Sequence, residues 1–197
     1  MTTVYFIRHA TPDRSIGEDA THPLTEKGLA DVAMVTKYLQ DKKIDIVLSS
    51  PFKRSYDTVA DFAKTAGLPI ETIYDFRERK VSDRWVEDFY SYAEKSFADH
   101  TYKLPGGECL GDVQTRNIVA LEDVLTRYNG RNIAVGTHGT ALSLIILNYD
   151  DTYTYDEWRA MPMPWVAKMT FEGKKFIAIE KINLFHANHA NEVPHVQ

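Results

Sequence analysis

Three short apolar runs in this chain end in polar residues suited to holding and moving a phosphoryl group. Val4-Tyr5-Phe6-Ile7 runs into Arg8-His9, Ile46-Val47-Leu48 into Ser49-Ser50-Pro51 with Arg54 just beyond, and Ile133-Ala134-Val135 into Gly136-Thr137-His138-Gly139. Guanidinium groups offer paired hydrogen bonds to phosphate oxygens and keep their charge near neutral pH. Fixed positive charge beside an imidazole disfavours its protonated form, so one histidine can stay a neutral nucleophile. Attack by its nitrogen on phosphorus would give a phosphohistidine, with the arginines and the second histidine stabilising charge on the equatorial oxygens. That chemistry requires no metal and no cofactor. A lone histidine or arginine after a strand is more often structural; the joint occurrence at three strand ends carries the reading.

For these side chains to meet, the three runs must be strands of one parallel sheet, whose carboxyl ends share the edge where ligands bind. The rest of the chain fits an α/β domain with a largely parallel sheet, because short β-type runs alternate with segments of helical period. Helices are predicted over residues 25–40, with Thr25 as cap and Leu29, Val32, Ala33, Val35 or Thr36, and Leu39 facing inward, and over 55–66, ended by Gly67 and Pro69. Further helices are predicted over 111–128 and 140–147, with partial helix in the aromatic stretch 81–97. Strands are expected over 44–48, 70–74 and 131–136, and a hairpin pairs 166–171 with 176–179 across Glu172-Gly173.

Composition narrows the partners. A chain of 197 residues at 44% hydrophobic supports one well-buried core, so residues 1–197 are read as a single domain. The net charge of -5 is spread along the chain without a basic face, which argues against nucleic acid. The amino terminus has no cationic segment leading into a long apolar stretch, and no apolar run is long enough to cross a bilayer, so no membrane partner is expected. Cys109 is the only cysteine, which rules out an internal disulfide and a cysteine metal cluster and suits a reducing compartment. The protein is read as cytoplasmic; oligomeric state stays open, a homodimer included.

The motifs resemble those of the histidine phosphatase superfamily, also called the phosphoglycerate mutase-like family. Arg8-His9-Ala10 resembles its Arg-His-Gly signature, residues 23–28 its Pro-Leu-Thr-x-x-Gly element, and residues 49–58 its Ser-Ser-Pro-Leu-x-Arg-Ala-x-x-Thr segment. Phe76-Arg77-Glu78, Gly106-Gly107-Glu108 and Thr137-His138-Gly139 follow in family order. The resemblance implies a three-layer α/β/α sandwich with a mostly parallel sheet and a cap insertion at about residues 78–108. It implies His9 as the nucleophile, Arg8, Arg54 and His138 as the rest of the phosphate pocket, and Glu78 as proton donor, with Glu26, Glu108 or Asp13 as substitutes. Ser15 stands where many members carry a phosphate-contacting asparagine, and Ser15 and Gly139 are therefore assigned to phosphate or substrate binding. The implied activity is that of a metal-independent phosphatase, a phosphoric monoester hydrolase, acting on a small phosphorylated metabolite through a phosphohistidine, with no cofactor. A phosphoglycerate-type mutase and a noncatalytic phosphate-binding module are the alternatives.

Several features are weighed separately. Trp85, Phe89, Tyr90, Tyr92 and Phe97 fall in the expected cap, where they either shape a substrate pocket or form ordinary core; at least half are read as core. Residues 161–165, Met-Pro-Met-Pro-Trp, read as a rigid connection into the hairpin. His186, His189 and His195 read as a polar tail rather than a metal site. Exposure accounts for His22 as well as a place beside substrate does, and Cys109 reads as a helix-entry residue.

Overall fold

The computed structural model describes residues 1–84 and 86–187. Trp85, His189 and His195 lie outside the described residues. The elements in chain order are β1 (Thr2–Arg8), α1 (Glu26–Leu39), β2 (Ile46–Ser49), α2 (Lys53–Ala66), β3 (Ile70–Thr72), α3 (Phe89–Ala98), α4 (Leu110–Arg127), β4 (Asn132–Thr137), α5 (Gly139–Tyr149), α6 (Tyr155–Ala160), β5 (Trp165–Glu172), β6 (Lys175–Ile182) and α7 (Leu184–Ala187).

The strands form one mixed sheet in the order β3-β2-β4-β1-β5-β6. The first four run parallel, and β5 and β6 are added antiparallel at one side. The sheet is mostly parallel, as expected. β1 sits inside it, and alternate side chains serve opposite faces. Tyr5 and Ile7 pack with Val35 and Leu39 of α1 and Val59 and Phe62 of α2. Val4 and Phe6 pack with Leu121, Val124 and Leu125 of α4 and Leu142 and Ile145 of α5. Burial on both faces explains why the first strand is an unbroken apolar run, and it sets three layers around it.

The departures from expectation lie at element ends, on one helix face and in two short helices the sequence did not announce, α6 and α7, the second of which takes His186 out of the expected tail. Leu29 is 60% exposed, contrary to its predicted inward place, and Ala33 is exposed too. The buried stripe of α1 is Gly28, Val32, Val35, Thr36 and Leu39, which begins one residue earlier. Gly28 begins it because a side chain there would collide with the Thr11 carbonyl, whose oxygen would stand 2.3 Å from the added carbon. Thr25 caps α1 as expected, accepting from the Gly28 N–H. The third strand stops at Thr72, where the chain turns through Tyr74–Phe76 and sends Phe76 edge-on against Phe6 in the core. The hairpin strands run on to Glu172 and resume at Lys175, so the turn is Gly173-Lys174, with Gly173 in the left-handed region at φ 59°.

Candidate active site

The sheet order brings the three polar strand ends together. β1 pairs with β4 so that Arg8 lies opposite Thr137, and β4 pairs with β2 so that Gly136 lies opposite Ser49. His9, Ser50 and His138 therefore leave adjacent strands at the same level. The His9 and His138 rings stand edge to face with centroids 5.2 Å apart. Arg54, in the first turn of α2, directs its Nε to His9 Nε2 at 3.2 Å. Arg8 donates through Nη1 to the Met161 carbonyl, while its buried Nε has no partner among the described residues.

Local chemistry fixes each group. His9 Nδ1 lies 2.7 Å from the Ala10 carbonyl, which can only accept, so Nδ1 carries the proton and Nε2 keeps its lone pair. The Ala10 N–H donates to Thr58 Oγ1, and that hydroxyl donates to the Arg54 carbonyl, tying the loop after β1 to α2. Burial, with Arg54 next in importance, holds the His9 pKa well below the ordinary imidazole value. Burial and then Arg54 do the same for His138. Burial also lowers Arg8, though the group remains a cation near neutrality. Two neutral imidazoles thus lie among guanidinium groups, an arrangement matched to a dianionic phosphoryl group.

Glu78 reaches the same region from the segment after Phe76. Its Oε2 accepts from the Thr140 N–H at 3.1 Å, and its Oε1 from the N–H groups of Ala141 at 3.2 Å and Arg79 at 2.8 Å. The carboxylate is therefore anchored in the first turn of α5, beside Gly139, where orphan helix N–H groups await acceptors. Gly139 packs against Arg8, since an added Cβ would lie 3.1 Å from the guanidinium carbon.

The other candidate acids are placed differently. Glu108 is held by Arg77 and Arg116 and accepts from the Lys80 N–H, so it serves a structural network. Asp13 accepts from the backbone and the hydroxyl of Ser15, and Ser15 is exposed. Glu26 is an exposed residue opening α1. Cys109 caps α4, as a helix-entry residue should, with its Sγ accepting from the Asp112 N–H.

Of the aromatic residues, Tyr92 is buried, Phe89 and Phe97 pack around Trp158, and Tyr90 is 55% exposed. Sequence reading missed what holds the two site arginines. Asp19 binds Arg54 Nη1 through its carbonyl and also its carboxylate, the latter at 3.1 Å, and the Met161 carbonyl anchors Arg8. Backbone acceptors leave no residue-type signal, so only Asp19, an acid in the loop after the first motif, was open to detection.

Comparison with known proteins decides the family. A family model described as the histidine phosphatase superfamily (branch 1) matches residues 4–177. The chain belongs to the histidine phosphatase superfamily. Within reach of it is the uncharacterized phosphatase PhoE of Bacillus subtilis, 26% identical over 150 residues that cover 74% of this chain and 76% of the relative. Phosphoserine phosphatase 1 of Hydrogenobacter thermophilus is 26% identical over 126 residues, 58% of each chain. Among solved structures, a mutant phosphoserine phosphatase from Entamoeba histolytica in complex with phosphoserine matches with a TM-score of 0.77 at 17% identity, covering 94% of this chain and 99% of that one. At that identity the likeness is one of fold, and it agrees with the phosphoglycerate mutase-like architecture.

Proposed function

We propose that this histidine phosphatase hydrolyses a small phosphorylated metabolite, without a metal ion, through a phosphohistidine formed on His9. The observation that carries the reading is the unprotonated Nε2 of His9, set by the Nδ1 contact to the Ala10 carbonyl, whose lone pair accepts from Arg54 Nε at 3.2 Å and so lies where a phosphoryl group held by that guanidinium would meet it. In the first step Nε2 attacks phosphorus and the bond from phosphorus to the ester oxygen breaks. The Glu78 carboxyl group gives its proton to the departing oxygen. In the second step water attacks phosphorus, Glu78 takes a proton from it, the P–N bond breaks, and the electron pair returns to Nε2. Arg8, Arg54 and His138 hold the equatorial oxygens throughout, the main task a protein has in phosphoryl transfer. The expected cap, residues 78–108, would close over the substrate, and Tyr90 offers the exposed aromatic surface for that role.

The test is a screen of phosphate monoesters, phosphoserine and phosphoglycerates included, in the presence of chelator. Wild-type protein should release inorganic phosphate and take up acid-labile phosphate, and His9→Ala should lose both. Turnover by His9→Ala would refute the nucleophile, and activity that vanished with chelator and returned with added metal would refute metal independence. Isomer formation from phosphoglycerates in place of phosphate release would favour a mutase.

A further inference from the structure

His138 is held by a residue that phosphate chemistry does not by itself call for. Its Nε2 lies 2.7 Å from the hydroxyl oxygen of Ser50, and both residues are wholly buried. Ser50 is fixed in turn, because its N–H donates to the Gly136 carbonyl at 2.9 Å across the β2–β4 junction. Its hydroxyl has one proton to give and two lone pairs. The Phe52 N–H donates to one lone pair at 3.2 Å. Among the described residues the remaining partner of that hydroxyl is His138 Nε2. Were Nε2 protonated, the serine proton would be buried with no acceptor, an arrangement folded proteins avoid.

We infer that Ser50 is a positioning residue that sets the tautomer of His138, donating to Nε2 so that the ring carries its proton on Nδ1 and presents that N–H to the phosphoryl group. A second observation points the same way. His138 Nδ1 is buried and has no partner among the described residues, as is true of Arg8 Nε, so two donors of the proposed phosphate pocket await an acceptor. With Nε2 occupied, Nδ1 is the ring nitrogen left for a substrate oxygen. Burial keeps the ring neutral, and in a neutral imidazole the two nitrogens cannot both donate. Without Ser50, the ring is free to take the other tautomer and turn a lone pair toward the negatively charged oxygens. The inference rests on the proposed phosphohistidine reaction for its functional meaning, whereas the tautomer itself is a separate observable.

The experiment is a long-range proton–nitrogen correlation spectrum of the full chain labelled with 15N-histidine, His138 being assigned by the signals missing from His138→Gln. Wild-type protein should show the Nδ1–H tautomer, and adding inorganic phosphate should shift that Nδ1 resonance. Ser50→Ala should populate the Nε2–H tautomer and lower kcat about tenfold to a hundredfold, less than full loss of a donor at such a site, with a smaller change in KM. An Nε2–H tautomer in the wild type overturns the inference, even if Ser50→Ala does not fold. So does a folded Ser50→Ala that keeps the Nδ1–H tautomer. Uptake of acid-labile phosphate by the wild type tests the parent reaction separately, and the tautomer spectrum decides the role of Ser50 whichever way that labelling falls.

Discussion

Gly139 controls how closely the Arg8 guanidinium can lie against the start of α5. An added Cβ would stand 3.1 to 3.2 Å from three guanidinium atoms, and Arg8 cannot easily move aside because the Met161 carbonyl holds its Nη1. Gly139→Ala should therefore displace Arg8 from the phosphate position. The expected result is a fall in kcat of about tenfold or more at nearly unchanged stability, read by steady-state kinetics beside a thermal melt. At this scale the four residues Arg8, His9, Arg54 and His138 were readable, since guanidinium and imidazole side chains at strand ends, or in the helix turn just beyond one, announce their chemistry. The departures from the family pattern also make sense here. Ala10 replaces the usual glycine in a wholly buried place and offers only its backbone to the site. Ser15, at the position of the family's asparagine, is exposed and donates its hydroxyl to Asp13 at 2.6 Å.

Helix α4 positions the segment that carries Glu78. Arg116, from its second turn, donates to the carbonyls of Asp75 at 2.6 Å, Arg77 at 2.9 Å and Glu78 at 3.3 Å, while Glu108 grips the same guanidinium at 2.9 and 3.1 Å. Arg116 is mostly buried, so these charge-assisted bonds are weakly screened. Arg116→Ala leaves Glu108 and three carbonyls short of donors. It should cost about 2–3 kcal/mol in a denaturant melt and also lower kcat as the Glu78 segment loosens. Unchanged stability would show that water replaces the clamp at no cost. The helix itself was readable from its apolar period, because Val113, Leu121, Val124 and Leu125 recur on one face. The clamp was not, because an arginine on the side of a helix has the same signature whether it binds solvent or distant carbonyls. Leu29 illustrates the converse limit: an apolar residue beside a buried stripe fits the periodic pattern and still faces water.

Across the whole molecule, the two site histidines couple stability to pH. Both are buried, and burial together with Arg54 holds their pKa values well below the unfolded value of about 6.5. Below that pH the unfolded chain binds protons that the folded one refuses, so unfolding becomes easier as pH falls. The stability these groups contribute is present in full above about pH 6.5 and declines on acidification, with a slope approaching about 2.7 kcal/mol per pH unit when both are counted. Urea unfolding from pH 8 to 5 should show that decline, and the double replacement His9→Gln, His138→Gln should flatten it. A wild-type profile level down to pH 5 would mean the pair is protonated in the folded protein. The same burial that keeps both imidazoles neutral therefore restricts the acid range of the fold.

The amino-acid sequence by itself determined the alternation of strands and helices, the parallel character of most of the sheet and the identity of the groups that meet at its edge. These follow from local periodicity and residue type, which each short segment carries whatever its neighbours do. Tertiary structure alone decided that Glu78 docks on α5, that Glu108 serves Arg116, that Asp19 meets Arg54 and that Ser50 faces His138. Each of these depends on how loops and strand ends are set beside one another, which local sequence does not fix, and Glu78 is held besides by backbone N–H groups that no residue type reveals.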